Sequence, residues 1–175
     1  QERALYMLDA VTGQLEHVYR FDRWPRAMQR TPDGTRLYFS LLTAPRSEDE
    51  YYPARGPNFI ASLDLDSGII DRFLPFAGDP FAVEPTNDER LLVSSHAWST
   101  STTLYLLDAI SAAVLSTSAA PGSEYLSVHP SGTRFYAAVN AGLWRYELLP
   151  DGQTRRLDES YRQSASPRRG LFVST

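Results

Sequence analysis

Apolar residues along this chain fall into short runs separated by turn-forming residues, and they nowhere recur with a convincing helical period. Four runs share one form, an apolar strand closed by an acid: Leu5-Tyr6-Met7-Leu8-Asp9, Ile60 to Asp64, Leu104 to Asp108 and Leu143 to Glu147. Three of them lead into a glycine turn, at Thr12-Gly13, Ser67-Gly68 and Asp151-Gly152. Apolar on both sides, these runs read as strands sandwiched between neighbouring sheets. The segment after the first run alternates instead, with Leu15, His17, Tyr19 and Phe21 set against Glu16, Val18 and Arg20. That is the period of a strand with one solvated face. A second phrase runs from a turn into a strand: Pro32-Asp33-Gly34-Thr35-Arg36-Leu37-Tyr38-Phe39-Ser40. It recurs around Pro85, at Pro130-Ser131-Gly132-Thr133-Arg134-Phe135-Tyr136 and at Pro167. Proline presets φ, and glycine supplies the positive φ that tight hairpins need. Between Asp108 and Ser118, Ile110, Val114 and Thr117 fit a strand pair better than a helix. The pattern predicts an all-β chain.

The two phrases define a repeat. The turn prolines lie 53, 45 and 37 residues apart, and the strand-closing acids 55, 44 and 39 apart. Each unit holds four strands: A before the proline turn, B after it, C the apolar run and D the alternating segment. Four-stranded units of about 44 residues repeated around an axis are propeller blades. The expected fold is therefore an all-β propeller of antiparallel four-stranded blades, forming one domain over residues 1–175. Whole blades fall near 23–76, 77–119 and 120–160. The chain opens with strands C and D (residues 1–22) and closes with A and B (residues 161–175), which together make a fourth, mixed blade. That blade forms in cis, giving a four-bladed ring, or in trans, giving an eight-bladed ring of two chains. A third arrangement is a piece of a longer propeller. An unpaired Leu171-Phe172-Val173 edge invites aggregation, which favours pairing.

These phrases resemble the YVTN-type β-propeller repeat, in which a Pro-Asp-Gly turn and a Leu-Tyr-Val strand precede an apolar strand, an Asp and a Thr-Gly turn. The likeness is strong at residues 25–76 and fair at 121–152. It degenerates at 80–118, where Asn87-Asp88-Glu89 replaces the turn and Ala112 stands in place of glycine. The resemblance implies a bacterial, secreted or periplasmic protein. It does not imply one activity, because such repeats serve enzymes, cofactor carriers, surface layers and binding scaffolds.

Composition narrows the chemistry. The apolar content of 42% is that of a globular chain. No cysteine is present, which excludes disulfides, thiolate metal sites and a cysteine nucleophile. The net charge of −4 and the scattered basic residues argue against a nucleic-acid partner. No apolar stretch approaches the ~20 residues of a membrane span. All 17 basic residues are arginine, by coding bias or by selection for forked, stacked contacts. Nucleophile elbow, P-loop, dinucleotide and zincin motifs are absent, and His17, His96 and His129 fall on different structural parts. Asp64-x-Asp66-Ser67-Gly68 has a calcium-loop flavour but lacks the later bidentate acid, and a plain turn explains it. No metal or cofactor is expected.

Loop lengths single out one face. The B–C and D–A connections of a propeller emerge together, opposite the short A–B and C–D turns. The first whole blade has a long B–C loop from Leu41 to Pro57, carrying Arg46, Tyr51, Tyr52 and Arg55 around the acidic run Ser47-Glu48-Asp49-Glu50. Beside it should lie Ser95-His96-Ala97-Trp98-Ser99 and the connections Arg23-Trp24-Pro25-Arg26 and Gly78-Asp79-Pro80. Trp, Tyr and Arg dominate binding hot spots. Trp24, Arg26, Arg46, Tyr51, Tyr52, Arg55, His96 and Trp98 are accordingly the candidate face for a protein or small-ligand partner. The alternative is that the aromatics fold down as blade caps. Arg30 departs from its repeat, where Val83, Val128 and Ala165 are expected, and is placed in the central channel, holding an anion or paired with Glu84. The leading functional reading is a non-catalytic binding or assembly module, with self-association through the terminal strands as one route. The alternative is part of a larger lactonase-like or amine-dehydrogenase-like enzyme with active residues partly outside this chain.

Overall fold

A computed structural model describes residues 3–43, 57–96, 102–119, 125–139 and 142–161. These form fourteen strands and no helix. Two strands, β1 (Ala4–Leu8) and β2 (Leu15–Arg20), make a two-stranded antiparallel sheet. Next comes a four-stranded sheet of β3 (Trp24–Arg30), β4 (Arg36–Leu42), β5 (Asn58–Asp64) and β6 (Ile69–Phe76), in that order. Another holds β7 (Pro80–Pro85), β8 (Arg90–His96), β9 (Thr102–Asp108) and β10 (Val114–Ala119). The last holds β11 (Tyr125–Val128), β12 (Arg134–Val139), β13 (Gly142–Leu148) and β14 (Thr154–Tyr161). Ile110, expected in a strand, lies in the exposed turn between β9 and β10, because Asp108 already begins that turn. Residues 162–175, including the Pro167 phrase, lie outside the described residues.

The strand-closing acids cap turns. Asp9 Oδ1 accepts from the Val11 and Thr12 N–H groups, Asp64 Oδ1 from Ser67 N–H at 2.8 Å, and Asp108 Oδ1 from Ser111 N–H at 2.7 Å. Those bonds hold all three carboxyls below the usual carboxylate range. Asp64 is thereby spent on its turn. Among the described residues no cluster of three His, Asp or Glu is poised to hold a metal.

Period-two alternation divides each apolar strand between two neighbours. In β4, Tyr38 joins the cluster shared with β7–β10, while Phe39 and Leu41 join the one shared with β1–β2. In β8, Leu91 and Val93 face the earlier sheet and Leu92 the later one, where Phe135 stacks on Tyr146 at 4.9 Å. The sheets therefore stack face to face. β7 touches both β3 and β11, so the first strand of each four-stranded sheet is the innermost.

Among the described residues, three seams repeat one clasp. Tyr19 of β2 donates to the Gly68 carbonyl at 3.0 Å, Arg72 of β6 to the Ala109 carbonyl at 3.2 Å, and Ser116 of β10 to the Gly152 carbonyl. In every case an outer strand donates to the turn after the third strand of the next sheet. The β1–β2 sheet docks on its neighbour as the four-stranded sheets do.

Candidate functional site

The loop end of the β3–β6 sheet is built on arginines lying over aromatic rings. The Arg3 guanidinium lies 4.8 Å from the Trp24 ring, Arg23 lies 4.5 Å from Phe59, and Arg26 lies 3.8 Å from Phe81. A delocalised, weakly hydrated cation can cover an apolar ring and still donate in its plane. Arg23 does both. From above Phe59 it donates to Thr43 Oγ1 at 2.7 Å and to the Pro57 carbonyl at 2.8 Å. Thr43 Oγ1 donates to the same carbonyl at 2.6 Å, and Asn58 Oδ1 accepts from Thr43 N–H at 3.0 Å. Residues 43 and 57 flank the long loop. Its neck is therefore fixed at both ends by the scaffold.

Asn58 extends this neck sideways, donating to the Gly78 carbonyl at 2.8 Å. Gly78 is required by close approach, since a Cβ there would stand 2.2 Å from Ser95 Oγ. Ser95 Oγ in turn accepts from Asp79 N–H at 3.1 Å. Asp79 is buried, and Arg26 stands 3.8 Å from its carboxylate. The structure thus links Arg26 on β3 to the Gly78–Asp79 segment and the end of β8, where His96 pairs with Thr102, while Trp24 on the same strand lies under Arg3. Trp24 is half-buried, with its Nε1 buried and unpartnered. Arg46, Tyr51, Tyr52, Arg55 and Trp98 lie outside the described residues.

No family model and no curated protein matches the chain. Solved structures do. The fold is similar to the Dos1 propeller, with a TM-score of 0.65 and 11% identity over 93% of this chain and 40% of that one. It is also similar to a chain of the mitotic checkpoint complex, with a TM-score of 0.58 and 16% identity over 88% and 46%. The molecule is a β-propeller of four-stranded blades. The chain spans less than half the length of either structure.

The blade frame relocates Arg30. Pairing sets Arg30 opposite Leu37, Pro85 opposite Leu91 and Val128 opposite Phe135, so these three residues are equivalent. Matching on prolines selects Val83 instead. The reason is the A–B turn of the β7–β10 blade, closed from Thr86 to Arg90, one residue shorter than those from Thr31 to Arg36 and His129 to Arg134. Arg30 is exposed. Its Nε donates to the Gly34 carbonyl at 2.9 Å, so the side chain lies along its own turn and not against Glu84.

Among the described residues, Glu84 is the ionisable group on the wall of a hollow between the inner strands. A hollow of about 220 Å³ is bounded by β3, β7 and β11, and Glu84 lies among Ala27, Val83 and Leu126 on its wall. Burial pushes the carboxyl up to about 8, against the opposing pull of a hydrogen bond from Val128 N–H on the next inner strand. One blade earlier, the position matching Val128 is Pro85, which has no N–H to give. Glu84 therefore makes a contact that its repeat equivalent, Gln29, has no partner for. A lone acid within an otherwise apolar A strand was the available sequence signal.

Proposed function

We propose that this chain is a non-catalytic binding or assembly module of the propeller class, with a repeat of the YVTN type, recognising a protein partner through its B–C and D–A loop face. The observation that carries this reading is the neck of the 44–56 loop. Arg23, Thr43, Pro57 and Asn58 hold the loop's two ends on a rigid blade. Function is commonly carried by loops presented from a rigid scaffold in this way. Arg26 and Trp24 form the edge of the face on which a partner would rest. We further place residues 161–175 as strands A and B of the blade begun by β1 and β2, within one chain or between two.

Replacing residues 44–56 with a Gly-Ser linker of equal length tests the reading. The denaturation midpoint is expected to move little, because every residue of the neck is retained. A loss of several kcal/mol would make the loop structural and end the proposal. Solution molar mass of the intact chain then separates closure within a chain from a two-chain ring.

A further inference from the structure

The opposite face holds a cleft of about 440 Å³ between the blades of β3–β6 and β7–β10, walled by their two A–B turns and the Ala109 turn. Its volume falls in the range of small-ligand pockets. We propose that it binds a short zwitterionic peptide, with the peptide carboxylate on Arg72 and the free amine toward Glu89.

Three arginines line the cleft, and they differ in how far their donors are used. Arg36 is committed: its Nη1 donates to both oxygens of Asp71 at 2.8 Å and to Ser62 Oγ at 2.9 Å, and its Nη2 reaches Asp64 at 3.5 Å. Arg90 is ion-paired with Asp88, leaving its Nε buried without a partner. Arg72 is the open one. Among the described residues it donates only through Nη1, to the Tyr38 hydroxyl at 3.4 Å and the Ala109 carbonyl at 3.2 Å. Its nearest carboxylate is Asp71 at 3.9 Å, which Arg36 already holds. A guanidinium carries five N–H groups in a planar fork, the complement of a carboxylate's two oxygens. The Tyr38 hydroxyl accepts from Arg72 and so has its own proton free to donate beside that fork.

The acidic counterpart is Glu89. It is exposed, lines the cleft and adopts φ 57, in a turn where the neighbouring blades place Gly34 and Gly132 at φ 78 and 71. Strained positions of this kind cluster at functional sites. Asp33, the other acid of the cleft, is spent on the Thr31 and Thr35 hydroxyls. An open cation and an open acid on one small cleft complement a ligand carrying both charges. They disfavour a bare dianion such as phosphate.

The test titrates the intact protein with trialanine, its C-terminal amide, its N-acetyl form and inorganic phosphate, reading the amide NMR signals of Thr35, Tyr38 and Ala109. Saturable shifts are expected with trialanine. The amide should bind at least about tenfold more weakly, the loss of one charge-assisted pair. N-acetylation should weaken binding less, because Glu89 is solvated. Arg72→Gln should abolish the difference between acid and amide. Glu89→Gly should abolish the preference for a free amine while leaving the fold intact. The proposal is overturned by no saturable shift up to about 10 mM trialanine, by equal binding of acid and amide to the unaltered protein, or by phosphate binding as tightly as the peptide. No loop-face residue enters these comparisons, so their failure leaves the loop-face reading untouched.

Discussion

Glu84→Gln should convert a pH-dependent propeller into one that is nearly indifferent over the neutral range. The wild-type carboxyl is raised from an ordinary 4.5 to about 8, with desolvation the dominant cause. Below about pH 4.5 it is neutral in folded and unfolded chains alike, and the native contact is fully present. Between there and about pH 8 the unfolded chain releases its proton while the folded one retains it. The unfolded state then binds fewer protons, so stability falls as pH rises, by roughly 1.4 kcal/mol per pH unit. Above about 8 the loss levels off, having reached about 5 kcal/mol. Glutamine keeps a carbonyl oxygen for Val128 N–H and removes the titration. Urea denaturation midpoints of both proteins between pH 5 and 8.5 would measure the effect. Histidine contributions cancel in the difference, since His17, His96 and His129 occur in both proteins. Near-coincidence at pH 5 is expected, with the variant more stable by more than about 2 kcal/mol at pH 8. Parallel pH profiles, or a difference that grows toward acid, would refute the argument.

Glu89→Gly and Ala112→Gly each relieve a positive φ, 57 and 61 respectively, and should raise stability by roughly 0.5–1 kcal/mol in thermal unfolding, unlike a glycine placed elsewhere in a strand. Arg26→Ala removes the cation beside buried Asp79 and should cost about 1–3 kcal/mol, with Arg26→Lys recovering only part because lysine lacks the planar stack on Phe81. Tyr19→Phe deletes one seam hydrogen bond and should cost about 1 kcal/mol, with faster exchange of the β1–β2 amides as its local signature.

The repeat was legible because its chemistry is local. An acid three residues before a Thr or Ser turn is a self-contained device, and Asp9, Asp64 and Asp108 use it in that way. An apolar run buried on two faces is equally local, so the third strand of each blade could be read directly. The register of the β7–β10 blade could not. Its proline, Pro85, belongs to the strand and not the turn, and only the pairing of Pro85 with Leu91 reveals the shortened hairpin. Matching on prolines therefore aligns Arg30 with Val83, whereas strand pairing aligns it with Pro85. The length of the loop between β4 and β5 is legible in the sequence, whereas its neck depends on Arg23 meeting Pro57, 34 residues away. The cleft around Arg72 was beyond reach, because its walls come from two blades and its openness depends on which arginine captures Asp71.

The clasp at each seam has a direction. In the three described seams the donor is on an outer strand and the acceptor is a turn carbonyl of the following blade. Such a contact is heterologous: its two surfaces differ, and two copies cannot satisfy it by meeting through like faces. Any association that extended the series would run head to tail, ending as a closed ring if the rotation per blade divides the circle and as an open filament if it does not. A twofold dimer built on this seam is excluded unless it makes the same join twice, once at each end.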